Sequence, residues 1–297
     1  MKNAIASHLK SVMYMDRGML VLNKLPGLTC QLTGERHRKP LAHRASKEDN
    51  KFNLLVSGLQ QQYDLPSPPL PVHRLDAGTT GCLTLAVTQR AAQEMSRQFA
   101  QGAVHKTYLA LVRGNKKSFK GTSGRVEDPI EYEDGFFKGY GEDGQPSITE
   151  WEVLADSPVA PVTLVRLKLL TGNKHQLRIH LANSLHVPIL GDQKYSRNPT
   201  SEAITSQAQI PPDRMFLHAS HLSLFKYRSG GGHKRVRVGI HAPLPSDFVG
   251  VCHQLEIPLS SLDIEGGLFT EGEPVQGKEL PDFQGRWLWS RNSIKRS

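Results

Sequence analysis

The spacing of hydrophobic positions changes several times along the chain, and each spacing predicts a different element. Residues 12–23 mix apolar residues with a DRG turn, which is typical of a β-hairpin. In residues 52–63, apolar side chains recur at three- and four-residue intervals, which predicts a helix ending before the proline-rich segment 65–71. Further strands are predicted at 82–88, 106–113, 162–170, 215–225 and 233–241, and further helices at 89–101 and 174–185. Strands outnumber helices without regular βαβ alternation, so the pattern predicts an α+β fold with a mixed sheet.

Composition narrows the class of protein. The 297 residues allow about two domains, and 38% hydrophobic with 22% charged residues is too apolar for wholesale disorder. No apolar run approaches the ~18 residues that a membrane span needs, so we expect no membrane association. The three scattered cysteines make neither a disulfide framework nor a CxxC zinc pair. We therefore expect an intracellular protein, in the cytoplasm or a mitochondrion and not secreted.

The net charge of +9 is unevenly distributed. Residues 251–297 hold seven acids and five bases, so this tail carries −2 and residues 1–250 carry +11. The excess is concentrated in 34–51, 113–125 and 226–237, which are either solvated loops or, as we expect, contacts to nucleic-acid phosphates. No basic amphipathic helix with a strong apolar face is visible, which favours a nucleic acid over a membrane surface.

A glycine-rich loop carries one group of chemically distinctive residues. Residues 73–81 read HRLDAGTTG, with two glycines and two threonines around the single carboxylate of Asp76. Such a loop turns tightly, its backbone approaches a ligand closely, and loops at strand edges often hold catalytic groups. The alternative is an ordinary turn in which Asp76 caps the backbone.

A second polar cluster joins a predicted strand to a predicted helix, where residues 171–181 read TGNKHQLRIHL. The first turn of such a helix offers unpaired N–H groups to an anion, and a buried Arg178 needs a carboxylate or phosphate partner. His175 and His180 are five residues apart and do not share a helical face, so we predict no metal site.

The strand at 106–113 opens with KTYLA. Alternation places Lys106 and Tyr108 on one face of this strand. The ring of Tyr108 then serves either as a stacking surface for a base or as part of the core.

Taken together, these motifs resemble those of the RluA-type RNA pseudouridine synthases. The resemblance lies in the order and spacing of HRLDxxTTG, KxYxA, TGxxHQLRxHL and the PILGD at 188–192, with NKLPG at 23–27 and LHA at 217–219 in support. It covers roughly residues 12–248.

The resemblance implies an α+β fold with a mixed, largely antiparallel sheet, flanking helices and a central active-site cleft. It implies a catalytic domain over residues 12–250, leaving an N-terminal extension at 1–11 and a tail at 251–297. The implied activity is the isomerisation of specific uridines to pseudouridine in structured RNA, with ribosomal RNA favoured and transfer RNA possible. Because nothing is added in that reaction, we expect no metal or other cofactor. We also expect a monomer.

The resemblance also implies roles for individual residues. Asp76 matches the catalytic aspartate, which acts either as a nucleophile towards the sugar or the base or as a base on the sugar. Arg178 matches the arginine that pairs with that aspartate, and Tyr108 the tyrosine that packs on the target base and moves a proton. Leu177 completes the pocket wall, and Arg74 fills the position vacated when the uridine is extruded. The remaining residues expected to bind substrate are His73, Thr79, Lys106, Lys174 and His175.

The chain departs from the family pattern in several places. Asn173 stands where an arginine is usual, which would relocate a phosphate contact. One additional residue lies between His180 and Pro188, with a Leu-His pair at 185–186 where glycine is expected. Two alternatives stay open: a non-catalytic RNA-binding or RNA-folding factor on the same fold, and a metal-dependent hydrolase using some of the 13 histidines. The tail is either an appendage whose tryptophans dock on the core or a contact for a partner.

Overall fold

The computed structural model describes residues 2–32, 49–228 and 234–290, which fall into two compact units. Unit 1 comprises Met1–Val104, Ser223–Pro243 and Glu265–Ser297, and unit 2 comprises His105–Leu222 and Leu244–Ile264. Most of the basic stretch 34–51 and the glycine-rich centre of the stretch 226–237 lie outside the described residues. Their contacts to RNA therefore stay predictions.

Unit 1 contains three helices beside a set of antiparallel strands. Its helices are α1 (Lys2–Leu9), α2 (Asp49–Gln62) and α3 (Gln89–Ala100). Its strands are β1 (Val12–Met15), β2 (Met19–Lys24), β3 (Leu70–Pro71), β4 (Thr80–Ala86), β12 (Arg235–His241), β13 (Gly267–Thr270), β14 (Glu273–Pro274), β15 (Glu279–Leu280) and β16 (Gly285–Trp287). One run of neighbours is β15-β16-β1-β2-β4, and another is β12-β13-β14.

The predicted hairpin at 12–23 is confirmed as β1 and β2, and its turn is organised by one carboxylate. Asp16 Oδ1 accepts hydrogen bonds from the backbone N–H groups of Gly18 (2.7 Å) and Met19 (3.0 Å). Asp16 Oδ2 accepts from Tyr14 Oη (2.9 Å) and from Lys226 Nζ (2.5 Å). A buried carboxylate with four donors satisfies its hydrogen-bonding capacity, so the turn is rigid.

Residues of the predicted tail form strands of unit 1. Strand β16 pairs antiparallel with β1, with Trp287 opposite Tyr14, and β13 pairs antiparallel with β12. The side chain of Trp289 is buried. Residues 267–290 therefore dock on the core, as one of the two expectations for the tail stated. The division into 1–11, 12–250 and 251–297 stays a prediction.

Unit 2 has strands β5 (His105–Arg113), β6 (Ser123–Val126), β7 (Ile130–Glu133), β8 (Phe136–Tyr140), β9 (Thr149–Asp156) and β10 (Val162–Leu169). Strand β11 (Leu217–Tyr227) contributes residues 217–222 to this unit. The neighbours run β5-β10-β9-β6, all antiparallel, and β7 and β8 form a separate hairpin. Its helices are α4 (Gln176–Ile179), α5 (Glu202–Thr205), α6 (Ser246–Gln254) and residues 261–264 of α7 (Ser261–Glu265).

The core of unit 2 forms where α6 packs on the apolar faces of β5 and β10. Leu109 and Leu164 from these strands pack with Phe216, Phe248 and Val251, all of them buried. The rings of Phe216 and Phe248 meet edge to face, with centroids 5.6 Å apart. Each such side chain contributes about 1.5–3 kcal/mol by leaving water, so this cluster holds the strands that carry the polar motifs.

The α+β fold with a mixed, largely antiparallel sheet is confirmed. The predicted strands at 82–88, 106–113, 162–170, 215–225 and 233–241 and the helices at 52–63 and 89–101 are found within about two to three residues at either end. The predicted helix 174–185 differs in one respect, because α4 gives way at His180 to a π-helical turn, His180–Ser184. In that turn Leu185 N–H donates to the carbonyl of His180 at 3.0 Å, enclosing one residue more than an α-helical turn does.

Candidate active site

The loop that carries Asp76 is held from inside unit 1 by the ammonium group of Lys24. This residue ends β2, is completely buried, and donates hydrogen bonds to the carbonyls of Leu25 (3.0 Å), Ala77 (2.9 Å) and Thr79 (2.8 Å). Ala77 O also accepts from Gly27 N–H at 2.8 Å. The three protons of the ammonium each have a carbonyl partner, so the loop after Asp76 is fixed in position.

Asp76 lies at the start of this fixed turn. Its carbonyl accepts from Thr79 N–H at 3.0 Å, and Leu75 beside it is buried. The Asp76 side chain is partly exposed, and that of the neighbouring Arg74 is exposed. The structure therefore presents one carboxylate and one guanidinium on a rigid loop, and a carboxylate held in this way is chemically able to act as a nucleophile or a base.

His73 attaches the other end of the loop to the sheet. Its Nε2 accepts from the backbone N–H of Thr84 in β4 at 2.9 Å, and its ring stacks on Phe99 of α3 with centroids 4.7 Å apart. Nε2 therefore serves as the acceptor of a backbone hydrogen bond and not as a donor. This contact positions the loop, and a contact between His73 and substrate stays a prediction.

In unit 2, the residues of the KxYxA and QLR motifs are mostly buried. Tyr108 is 7% exposed on β5, opposite Leu167 of β10, and Leu177 is 5% exposed. The ammonium of Lys106 lies against the 171–173 loop, since a Cβ on Gly172 would be 3.5 Å from Nζ. Burial lowers the pKa of Lys106. These side chains therefore present little surface to bulk water, and their place in a pocket wall stays a prediction.

Arg178 has the carboxylate partner that its burial was expected to require. Its Nε and Nη2 donate to Asp192 Oδ2 (2.8 Å) and Oδ1 (2.9 Å), a bidentate pair in which the Asp192 side chain is 1% exposed. The guanidinium also lies 5.1 Å from the ring centroid of Tyr195, whose hydroxyl is 2.9 Å from Nδ1 of His175. Two parallel hydrogen bonds and a ring fix the plane of the guanidinium.

Gly191 determines where Asp192 stands. Its φ is +77°, and a Cβ added there would overlap the backbone carbonyl of Arg214. Both the backbone conformation and the space therefore demand glycine before Asp192.

The loop leading into α4 is organised by the side-chain amide of Gln176, which is buried. Its Oε1 accepts from Thr171 Oγ1 (2.9 Å) and Asn173 N–H (3.1 Å), while its Nε2 donates to Ile148 O (3.0 Å) and Thr149 Oγ1 (3.0 Å). All four hydrogen bonds of the amide are made inside unit 2. The TGNKHQLR segment is consequently rigid before any ligand binds.

Asn173, which stands where the family usually has an arginine, and the next residue, Lys174, both make contacts within unit 2. Asn173 Nδ2 donates to Pro146 O (2.9 Å) and Ser147 Oγ (2.7 Å), and Lys174 Nζ donates to Gly135 O (2.8 Å) at the tip of the β7–β8 hairpin. Asn173 thus anchors the loop. Lys174 joins it to the hairpin, and contacts of either residue with phosphate stay predictions.

His180 is buried behind α4 as a neutral group. Its Nδ1 is 2.9 Å from Thr149 Oγ1, its Nε2 is 3.3 Å from Asp128 O, and burial lowers its pKa. Within the described ranges, no three His, Cys, Asp or Glu side chains gather as metal ligands would. In the same ranges, none of the helices has the length and apolar character needed to cross a bilayer.

Three residues with clear structural roles received none from the sequence: Lys24, Gln176 and Asp192. All three lie inside motifs that carry the resemblance, at NKLPG, HQLR and PILGD. Polar residues inside otherwise apolar segments were the available signal, because a buried polar group must find partners. Each of the three has at least one partner that is distant along the chain, from 14 residues for Asp192 to 55 for Lys24, and a spacing argument does not reveal such partners.

The family model described as RNA pseudouridylate synthase matches residues 18–183. A tRNA pseudouridine synthase C of Pasteurella multocida is 30% identical over 224 residues, covering 71% of this chain and 84% of the relative. The dual-specificity RNA pseudouridine synthase RluA of Yersinia pestis is 30% identical over 222 residues, covering 72% and 91%. A solved structure, the human RNA pseudouridylate synthase domain containing 4, shares the fold with a TM-score of 0.65 at 24% identity, covering 86% of this chain and 97% of that one.

The chain therefore belongs to the RNA pseudouridylate synthase family, and within it to the RluA type. It is an enzyme that isomerises uridine to pseudouridine in RNA.

Proposed function

We propose that Asp76 is the catalytic carboxylate of this enzyme and that its substrate is a structured RNA. The observation that carries the proposal is the position of Asp76 on a loop immobilised by Lys24. Preorganisation of this kind keeps a reacting group in place without an entropic cost during the reaction.

The chemistry requires one carboxylate and no added atoms. The glycosidic bond from C1′ to N1 of uracil breaks, the base turns, and a bond from C1′ to C5 forms, while C5 loses one proton and N1 gains one. Asp76 assists by attacking the sugar or the base, or by removing a proton from the sugar. A proton from C5 enters water in every turnover, which makes the reaction measurable.

Tyr108 and Arg178 complete the proposed catalytic set. Tyr108 packs on the target base and moves a proton, consistent with a buried ring next to apolar neighbours. Arg178, held by Asp192, supplies the positive charge that favours an ionised aspartate. Leu177 forms part of the pocket wall.

The target uridine must leave its base stack before it reacts, at a cost of a few kcal/mol. The exposed Arg74 beside Asp76 is proposed to occupy the vacated position. Thr79, Lys106, Lys174, His73 and His175 are the further residues proposed to bind substrate.

Ribosomal RNA is our first expectation for the substrate and transfer RNA the second. The names of the relatives include enzymes for transfer RNA and a dual-specificity enzyme. The charge of +11 on residues 1–250 is compatible with either RNA, so the test has to compare the two. A monomeric state and a location in the cytoplasm or a mitochondrion also stay predictions.

The test measures tritium release from RNA labelled with 5-tritiated uridine and isolated from a strain that lacks the enzyme. Asp76→Asn is expected to lower release by at least about a hundredfold, because the amide is neither a base nor a nucleophile. Asp64→Asn is the matched control, since Asp64 is exposed in unit 1 with φ of +48°, a conformation that asparagine adopts readily. Full activity of Asp76→Asn would remove Asp76 from the mechanism.

The same assay decides the RNA class when the labelled RNA is separated into ribosomal and transfer fractions. Release from the ribosomal fraction is expected. Release from the transfer fraction alone would replace the first expectation by the second, and release from neither fraction would favour a non-catalytic RNA-binding factor.

A further inference from the structure

Unit 2 contains an open cavity of about 530 Å³ that none of the proposed catalytic side chains lines. This volume is typical of sites for small organic ligands. Three aromatic rings face the cavity: those of Phe137 and Tyr140 from strand β8 and that of Tyr195. The site is therefore suited to a flat, partly apolar group.

Hydrogen bonds hold two of the three rings in place. Tyr140 Oη lies 2.8 Å from Ser184 Oγ and 3.4 Å from Ile179 O, and Tyr195 Oη lies 2.9 Å from His175 Nδ1. Phe137 meets both rings edge to face, with centroids 5.4 Å from Tyr140 and 6.4 Å from Tyr195. Rings that are already fixed lose little conformational entropy when a ligand stacks on them.

The charges around the cavity select an anionic ligand. Arg113 and Arg197 line it, together with His186, and none of the lining residues is acidic. Arg113 donates to the carbonyls of Asn198 (2.6 Å) and Pro199 (2.7 Å), which fixes the wall, while Arg197 is exposed. Among the described residues, no hydrogen bond or ion pair occupies the guanidinium of Arg197.

The remaining wall is built by the π-helical turn His180–Ser184. This turn and the residues after it bring Asn183 and His186 to the cavity. His186 has φ of +57°, an unusual conformation for a residue with a side chain. The unusual backbone conformation is thus located in the cavity wall, which His186 lines together with Arg113 and Arg197.

We propose that this cavity binds one unpaired nucleotide of the RNA substrate, other than the uridine that reacts. The base stacks on the ring of Phe137 and meets the ring of Tyr140 with its edge, and the adjoining phosphate pairs with Arg197. Unpaired nucleotides are recognised in proteins by this combination of aromatic faces and arginines. The proposal rests on the RNA substrate of the proposed function and extends it to a second binding position.

The binding test uses the full chain and a fluorescein-labelled, single-stranded RNA of 20 or so mixed-sequence nucleotides, with Kd measured by fluorescence anisotropy at one salt concentration. Phe137→Leu removes the ring and keeps an apolar side chain, and Arg197→Ala removes the charge at an exposed position. Each is expected to weaken Kd roughly fivefold or more. Phe119→Leu is the matched control, since Phe119 packs on Trp151 and does not line the cavity.

A cross-linking experiment on the wild-type chain does not depend on the folding of any variant. The same RNA with 4-thiouridine in place of uridine is irradiated, and the modified peptides are identified by mass spectrometry. Adducts within 137–140 or 195–198 are expected. Adducts confined to other peptides, or an unchanged Kd for a folded Phe137→Leu, would overturn the proposal.

The cavity and the catalytic assignment can fail separately. Asp76→Asn is expected to bind this RNA as the wild type does and to yield the same adducts, because neither measurement needs turnover. Normal binding by the two cavity variants, with Asp76-dependent tritium release intact, overturns the cavity alone. Weakened binding by those variants, with tritium release that survives Asp76→Asn, overturns the catalytic assignment alone.

Discussion

Replacing Lys24 by methionine tests whether one buried ammonium group holds the loop of Asp76. Methionine fills nearly the same volume and cannot donate a hydrogen bond, so the change removes the three bonds without opening a cavity. The loop carbonyls would then have to find other donors or move.

The expected loss of stability depends on how many of the three carbonyls accept no other hydrogen bond described above. Ala77 O keeps the bond from Gly27 N–H, so Leu25 O and Thr79 O are the ones affected. Each buried carbonyl left without a donor costs about 1–3 kcal/mol, and removing the cost of burying a charge offsets part of the sum. We therefore expect the free energy of unfolding to fall by about 2–4 kcal/mol.

Urea denaturation followed by circular dichroism measures the stability, and tritium release measures the turnover. A displaced loop is expected to lower kcat at least about tenfold while Kd for RNA stays unchanged, since misplacing a reacting group by ~1 Å has effects of this size. Lys10→Met, at an exposed position, is the control and should stay within about 0.5 kcal/mol of the wild type. If Lys24→Met unfolds at the wild-type urea concentration and keeps the wild-type kcat, the carbonyl bonds do not hold the loop.

Three further predictions concern unit 2. Asp192→Asn should cost about 3–5 kcal/mol in urea denaturation, because it removes the buried carboxylate that forms a bidentate ion pair with Arg178, and a loss below 1 kcal/mol or so would contradict that role. Gly191→Ala should lower the unfolding midpoint far more than the control Gly139→Ala, where an added Cβ meets nothing within 4 Å, and equal midpoints would refute the argument from space. Burial lowers the pKa of His180, so the unfolded chain binds its proton first and stability is lost as pH falls below about 6.5. The loss of unfolding free energy between about pH 7 and 5 should be smaller in His180→Gln than in the wild type, and an equal loss would show that this histidine does not contribute.

Local patterns predict the elements of this chain well where one face of an element is buried. Helix α3 shows why: Ala92 and Met95 recur on its buried face, and the hydroxyl of Thr88 caps its first turn by accepting from Ala91 N–H at 3.2 Å. Both signals are local in sequence. They can therefore be recognised from the sequence alone.

The β7–β8 hairpin is not among the predicted elements, although its sequence contains a local turn signal. An Asp-Gly pair at 134–135 lies at its tip with φ values of +50° and +78°, the conformations of the tight turn that joins two strands. Strand β7 (IEYE) alternates but is only four residues long, whereas β8 (FFKGY) does not alternate regularly and is largely exposed, for example at Phe136. The period-two pattern is therefore too short to predict a pair of strands.

The ion pair between Arg178 and Asp192 shows that sequence spacing does not identify the partner of a charged side chain. The sequence requires that a buried guanidinium has an anionic partner, but several acids are candidates, and the choice depends on the glycine at 191 and on the packing around it. The same holds for Lys24, whose acceptors are backbone carbonyls that carry no sequence signal at all.

The pairing of β16 with β1 has a consequence for how unit 1 is made. Strand β1 (Val12–Met15) is synthesised well before β16 (Gly285–Trp287), the strand that covers its free edge. Until the ribosome has released that strand, β1 offers its backbone hydrogen-bonding groups to any other chain nearby. A nascent or truncated chain that stops before residue 285 therefore exposes an unpaired strand edge, and that edge is protected from aggregation only once residues 285–287 have been made and paired.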